Sequence, residues 1–239
     1  MEQVMPAPEK EYPVQTVLEL ACAAYRYNKD YIKTAEAIYT DDYKIIGYRM
    51  PNKLLMLSAL GEDKTNYNGV DPLMKPQLIT TNMEDKQLTE DIIKFYRRLM
   101  FNAIQGEDEF KTELNAILTK ENTTTNKFGW IACLPSVYKR DLSKHQFHKK
   151  TKTLEEGWLG EVGKTLLDLD CEVLSCIKSK NFEAFNVDAI IENKLVSWMS
   201  QKDVTVGPAV VIKAKVKDHG FHWKTKGTVT RLNYVKVAQ

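Results

Sequence analysis

Hydrophobic residues recur along this chain at two different spacings, and the change divides it into two parts. The first part follows helical spacing, in which apolar residues return every three or four positions. The clearest run is Val14, Val17, Leu18, Ala21, Ala24 and Tyr25. The same spacing continues over residues 32–39, and a short strand is predicted over residues 43–48. Further helices are predicted to begin at Pro51, at Thr89 and near Phe110, so this part is expected to be mainly helical.

An apolar segment, residues 128–134, separates the helical part from the rest. It contains Gly129, is halted by Pro135, and is predicted to be a strand or a buried connector. A basic run from Lys139 to Lys152 follows it. The predicted organisation is a helical domain over residues 1–125, a connector with the basic run over 126–153, and a second domain over 154–239.

The second domain shows the period-two alternation of β-strands. Five strands are predicted, at residues 166–178, 182–191, 195–201, 210–217 and 228–237. The fourth has the strictest alternation. Val210, Ile212, Ala214 and Val216 are expected to face a core, and Val211, Lys213, Lys215 and Lys217 the opposite side.

Five short strands within residues 154–239, ending in a long basic hairpin, fit a five-stranded OB-fold β-barrel. The predicted fold class is therefore α+β, with a mainly helical N-terminal half followed by this barrel. An OB-fold binds through its second and third strands and through the loops that join strands one to two and four to five. Here those loops are predicted at residues 178–181 and 217–227.

Net charge changes this picture less than the distribution of charge. The chain carries +2 overall, but acidic residues outnumber basic ones ten to five between Leu154 and Gly207. From Pro208 to the end, seven Lys or Arg residues face one acidic residue, Asp218. The last two strands and their loop are therefore the basic part of the barrel.

Cations next to aromatic rings are what an unpaired nucleic-acid strand requires, because phosphates attract cations and exposed bases stack on flat side chains. The predicted nucleic-acid-binding residues are Lys178, Lys180, Lys213, Lys215, Lys217, Phe221, His222, Trp223, Lys224, Lys226, Arg231 and Trp198. Two alternatives accompany this set. Phe221 and Trp223 could instead cap the barrel end, and the alternation around Trp198 favours a core position over stacking.

The sequence contains none of the common motifs of catalysis or cofactor binding. It has no phosphate-binding glycine loop, nucleophile elbow or zinc-protease helix. The four cysteines are scattered, and the pairs His145/His148 and His219/His222 lack the further ligands of a structural zinc site. We expect no catalytic residue, metal or cofactor; acids at Asp168 and Asp170 leave a nuclease as the enzymatic alternative.

The hydropathy of the chain indicates the cellular compartment in which the protein is expected. The first ten residues are polar and proline-containing, unlike a signal peptide, and no apolar run approaches the roughly 20 residues that span a membrane. A cytoplasmic protein is expected, with no membrane partner.

Several segments resemble a known class of protein. They are Gly160-Glu161-Val162-Gly163, Trp198 in the third strand, Val211 through His219, and Thr230 through Val237. This part of the chain resembles the C-terminal OB module of phage-type single-stranded-DNA-binding and replication accessory proteins. The resemblance implies binding of single strands with little sequence preference, in phage replication or recombination and in the cytoplasm of the host.

One departure affects the expected partners. Many proteins of that class end in an acidic tail that recruits other proteins, whereas this chain ends Val235-Lys236-Val237-Ala238-Gln239. Contacts with replication or recombination proteins are therefore expected from the helical half. Two interpretations stay open beside DNA binding: RNA as the ligand, and a protein-interaction module that docks a polymerase or another partner. The sequence carries no prediction of oligomeric state.

Overall fold

The computed structural model describes residues 9–68, 70–102 and 109–239, with the backbone alone at 100–102 and 109–111. Contacts divide the chain into two units, Met1–Asp141 and Leu142–Gln239. Each unit buries its own apolar side chains. The α+β class is confirmed, with helices prevailing in the first unit and a closed barrel of five strands in the second.

Helices of the N-terminal unit form where the apolar residues recur at helical spacing. Their bounds are α1 Val14–Asn28, α2 Asn52–Ala59, α3 Met83–Asn102 and α4 Glu109–Leu118, followed by α5, Phe128–Thr151, which continues into the second unit. Short strands supplement them: β1 Glu11–Pro13 pairs with β4 Asn122–Thr124, and β2 Glu36–Tyr39 pairs with β3 Ile45–Arg49. Single 3-10 turns lie at Pro72–Met74 and Thr125–Lys127. The buried side of α1 packs against α2 and α3.

The predicted continuation of helical spacing over residues 32–39 is wrong. Residues 36–39 form β2, the first strand of a hairpin, because the chain reverses after Thr40. The Thr40 N–H donates to the Lys44 carbonyl, and the Thr40 carbonyl accepts from the Tyr43 N–H. Ile38 and Tyr39 are exposed, so no buried helical face exists there. The predicted strand over residues 43–48 is confirmed as β3.

Helix α3 begins at Met83, earlier than the predicted Thr89. Its N-terminus is closed by two reciprocal bonds, from Asn82 N–H to the Asp85 carboxylate at 2.9 Å and from Asp85 N–H to Asn82 Oδ1 at 3.0 Å. Asp85 is buried and also accepts two bonds from the Arg26 guanidinium, at 3.1 and 2.9 Å. Thr89 lies buried inside the helix.

The strand alternative for residues 128–134 is also wrong, because this segment forms the first two turns of α5. Phe128, Ile131 and Leu134 are all buried, a spacing of three that belongs to one face of a helix. Pro135 lies inside the helix. A proline removes one backbone hydrogen bond there, and the packing of its neighbours outweighs that loss.

The barrel consists of β5 Thr165–Lys178, β6 Phe185–Ile191, β7 Lys194–Ser200, β8 Gly207–Phe221 and β9 Thr228–Ala238. Around the barrel the strands follow the order β5-β6-β7-β9-β8, and β8 pairs with β5 to close it. All pairs are antiparallel except β7 with β9. The five predicted strands are thus confirmed. Strand β8 is longer than predicted at both ends, by residues 207–209 and 218–221, so the turn after it is shorter than the predicted loop 217–227.

The alternation predicted for the fourth strand is wrong over residues 210–212. Val211, predicted on the opposite side, is in the core, whereas Val210 and Ile212, predicted in the core, are not. Ala209, Val211, Ala214 and Val216 face the core, whereas Ile212 is exposed. The register between β8 and β9 shifts between Val211 and Lys213. This shift is a β-bulge, in which one extra residue is inserted, so the residues before it face the opposite side of the strand from that predicted. Lys213, Lys215 and Lys217 are exposed, as predicted.

The Gly160-Glu161-Val162-Gly163 segment has a structural explanation. Gly160 and Gly163 have φ of 65° and 87°, values that favour glycine. The turn they form bonds Gly163 N–H to the Val216 carbonyl at 2.9 Å and leads directly into β5. Within the described ranges, no helix is both long enough and apolar enough to span a bilayer.

We predict that Asp85→Ala destabilises the N-terminal unit, because it removes the α3 cap and both bonds to Arg26. The expected loss in the free energy of unfolding is about 2–4 kcal/mol. Urea unfolding followed by helical circular dichroism measures it. Glu84→Ala, an exposed neighbour in the same helical turn, is the control and should change the midpoint little. Equal midpoints for the two variants would contradict the prediction.

Candidate nucleic-acid interface

A groove of about 530 Å³ opens on one face of the barrel. Strands β6, β7 and β9 form its base, where Val187, Trp198 and Leu232 are buried members of the barrel core. The end of β8 and the β8–β9 turn (residues 222–227) form one wall. We call this the barrel groove.

Three aromatic rings on the groove are exposed to solvent. Phe221 is 68% exposed, Trp223 73% and Tyr234 79%. Tyr234 has a φ of 54° and lies where the β8–β9 register shifts, so the bulge turns its ring outward. Large rings exposed together around one concave surface offer flat partners for stacking.

Three cationic side chains line the same groove: Lys217, Lys224 and Arg231. Arg231 Nη1 lies 2.7 Å from Asp218 Oδ1 on the paired strand. The guanidinium lies against Gly220, where an added Cβ would come within 3.1 Å of both Nη atoms. Gly220 therefore provides the space that Arg231 occupies, and Asp218 holds its orientation.

The β8–β9 turn is held by a buried carboxylate. Asp188 on β6 lies 3.3 Å from His222 Nε2 and 3.6 Å from Lys224 Nζ, and accepts a bond from the Ser175 hydroxyl at 2.9 Å. Burial acts to raise the pKa of Asp188, but the His222 bond and the charges of His222 and Lys224 lower it below its ordinary value of 3.8. Asp188 therefore stays ionised and fixes the turn on the barrel.

Helix α5 supports the same turn from its other side. The buried ring of Phe147 lies 5.7 Å from the His222 ring, between centroids, and Lys224 Nζ lies 5.0 Å from the Phe147 centroid. Lys224 Nζ is also 5.1 Å from the centroid of Trp223. Because His222 is clamped, its neighbours Phe221 and Trp223 project from a fixed backbone.

The predicted residues divide into two sets. Those that line the barrel groove are Trp198, Lys217, Phe221, His222, Trp223, Lys224 and Arg231. Exposed residues elsewhere on the barrel surface are Lys178, Lys180, Lys213, Lys215 and Lys226. Lys213 and Lys215 lie on β8 farther from the turn than Lys217. Lys178 and Lys180 lie at the end of β5 and in the loop after it, and Lys226 lies in the turn without lining the groove.

Two of the predicted residues have environments that differ from that of an exposed binding residue. Trp198 is buried in the barrel core, so the core position favoured by its alternation is confirmed. The sequence places His222 in an exposed polar loop, but it is buried and paired with Asp188 because the turn folds back onto β6.

Sequence reasoning missed three large apolar or aromatic side chains that are exposed on the groove: Ile177, Met199 and Tyr234. Met199 could have been found, because it alternates with the core residue Trp198 and so faces outward. Tyr234 could not, because simple alternation places it on the same side as the buried Leu232. Its exposure depends on the bulge.

No metal-ligating group stands out in the described part of the chain, where no three His, Cys, Asp or Glu side chains come together. His219 instead stacks on Trp158, with ring centroids 5.0 Å apart and an interplanar angle of 6°. The arrangement on the groove can therefore supply stacking surfaces and positive charge.

Comparison with known proteins adds no assignment. The chain matches no protein-family model, and no curated protein or solved structure is significantly similar to it. Arguments about function therefore rest on the groove itself.

We predict that Asp188→Asn destabilises the barrel, because it leaves His222 and Lys224 next to a buried amide. The expected loss at pH 7 is roughly 3 kcal/mol. The folded-state pKa of Asp188 is lowered, so its contribution is complete above about pH 4 and is lost as the pH falls through the folded value. Urea unfolding at several pH values should show the wild-type advantage shrinking in acid.

Asp170→Asn is the matched control, since Asp170 is an exposed carboxylate on β5. It should change the unfolding free energy little at any pH. A pH-independent difference between the wild type and Asp188→Asn would mean that the charge of Asp188 is not what holds the turn.

Proposed function

We propose that this protein binds single-stranded nucleic acid, DNA in the first instance, with little sequence preference, through the barrel groove. One observation carries the proposal: three exposed rings and three cations surround a single concave face of the barrel. Unpaired bases stack on the rings while the phosphates between them are neutralised.

We further propose that the barrel is an OB-fold. The strand order β5-β6-β7-β9-β8, closed by β8 with β5, supports this assignment. In an OB-fold the second and third strands and the loop between strands four and five bind the ligand. Here these correspond to β6, β7 and the β8–β9 turn, which all line the groove together with β9 and the end of β8.

The chemistry of the groove favours stacking over reading of base edges. Its deepest carboxylate, Asp188, is balanced by His222 and Lys224, so it does not leave an unpaired negative charge facing the ligand. Phe221, Trp223 and Tyr234 accept any base, because every base has a flat face. RNA meets the same requirements, and competition between matched DNA and RNA oligomers decides between them.

The cellular role proposed here follows from the resemblance to phage single-stranded-DNA-binding and replication accessory proteins. It is stoichiometric coating of single strands during replication or recombination in the host cytoplasm, without catalysis. The N-terminal helical unit is proposed to contact replication or recombination proteins. The lysines outside the groove, Lys178, Lys180, Lys213, Lys215 and Lys226, are proposed as further phosphate contacts.

Trp223→Ala is predicted to weaken binding of an oligothymidine strand. Loss of one stacked base costs about 1–3 kcal/mol, equivalent to roughly a 5- to 150-fold increase in Kd. Fluorescence anisotropy of a labelled oligomer measures the change. Tyr43→Ala removes an exposed ring of the N-terminal unit and should leave Kd unchanged. Equal affinities for the two variants would remove the support for stacking on Trp223.

Salt dependence provides a separate test of the phosphate contacts. Lys217→Ala should reduce the slope of log K against log salt concentration by about 0.7, the value for one phosphate on a single strand. Replacing Lys213, Lys215 and Lys217 together should reduce it further. Lys202→Ala, an exposed lysine before β8, serves as the control. An unchanged slope in the triple variant would favour the protein-interaction module, in which these lysines serve solubility.

A further inference from the structure

A second cleft of about 310 Å³ lies against the reverse side of the β8–β9 turn. One wall is the last turn of α5 with the residues after it, including His148, Thr151 and Lys152. The other wall is the turn itself, including Lys224, Thr225 and Gly227. We call it the helix cleft.

The helix cleft and the barrel groove share a side chain. Lys224 lines both, and its ammonium group stands 5.1 Å from the Trp223 ring on the groove side. A strand that stacks a base on Trp223 therefore brings its next phosphate to Lys224. From there the helix cleft is the adjoining concave surface.

The end of α5 is basic and exposed. Lys144, His148, Lys149 and Lys152 are all exposed, at the helical spacing that places Lys144, His148 and Lys152 on one side. In the last turn of α5, Lys150 forms a salt bridge with Glu172. The C-terminal end of a helix carries about half a negative charge. Lys149 and Lys152 outweigh this partial charge at the end of the helix itself.

The lining chemistry fits a phosphodiester backbone better than bases. Lys152 and Lys224 supply cations. The Thr228 hydroxyl accepts a bond from Gly157 N–H and can donate its own proton, whereas the Thr151 hydroxyl donates to the Phe147 carbonyl at 2.9 Å. Two carboxylates, Glu155 and Glu156, lie on the same lining. The Glu155 N–H donates to the Asn193 carbonyl, and the Glu155 carboxylate accepts a bond from Asn193 Nδ2 at 3.2 Å. The acids would repel a phosphate and so limit the path to the lysine side of the cleft.

We infer that a bound single strand continues past Trp223, over Lys224, into the helix cleft. Its backbone phosphates contact Lys152 on the cleft lining and the exposed Lys149, which lies three residues earlier on the helix and beside the cleft. This inference rests on the proposed function and deepens it, because it adds the end of α5 to the site. The basic run before the barrel then forms part of the binding surface rather than a solvated connector. The length of strand that the protein occupies is correspondingly greater than the groove alone would hold.

The test compares two strand lengths with the full chain. Oligothymidines of about 5 and about 15 nucleotides bracket the span of single barrel sites. Lys149→Ala with Lys152→Ala should weaken the long oligomer about tenfold, since a lysine that binds a phosphate contributes both to affinity and to the salt slope. The slope should fall by about 1.4 for the two lysines. Binding of the short oligomer should not change.

Lys53→Ala with Lys86→Ala removes the same charge from exposed positions of the N-terminal unit and controls for net charge. An unchanged affinity for the long oligomer, or an equal loss at both lengths, overturns the inference. Trp223→Ala distinguishes the inference from the proposed function, because this variant should bind both the short and the long oligomer more weakly. If the wild type binds neither oligomer, the proposed function and the inference both fail; if it binds both and the helix variant binds them equally well, the inference alone fails.

Discussion

The arrangement of the candidate site depends on one buried carboxylate. Asp188 extends from β6 beneath the β8–β9 turn and holds His222 and Lys224 against the barrel, while Phe147 of α5 closes the other side. A turn of this length would otherwise be free to sample many conformations. Because Asp188 is ionised and its partners surround it, Phe221 and Trp223 are presented in one orientation, which reduces the entropy lost when a ligand stacks on them.

Bulges in the last two strands complete the surface. The register shifts at Ile212 and Tyr234 turn an apolar and an aromatic side chain outward. A further shift before Asp218 places that residue opposite Arg231, whose guanidinium lies against Gly220. Strands β8 and β9 are longer than β6 and β7, so their ends project beyond the core. The rings and cations of the groove therefore sit on an extension of a rigid scaffold.

Much of the site can be predicted from the amino-acid pattern. Phe221, Trp223 and Lys224 stand out because rings and cations follow one another between two strand-like segments, and Arg231 is a cation in the second of these segments. All four line the groove. The environment of His222 could not be predicted, since its partner Asp188 lies far earlier in the chain and is brought near only by the pairing of β6 inside the barrel. Lys213 and Lys215 look equivalent to Lys217 in the sequence, but they lie nearer the middle of β8 and do not line the groove.

The periodicity of apolar residues was sufficient to predict α1, the barrel strands and their order along the chain. A half-buried helix or strand repeats its apolar residues at its own characteristic period. It was insufficient where distant partners decide the outcome. Residues 36–39 became part of a hairpin, α3 began at a cap built on the Asp85–Arg26 pair, and residues 128–134 became helix despite Pro135. In each case the free energy of a contact between separated segments exceeds the small local preference, and only the folded chain contains that contact.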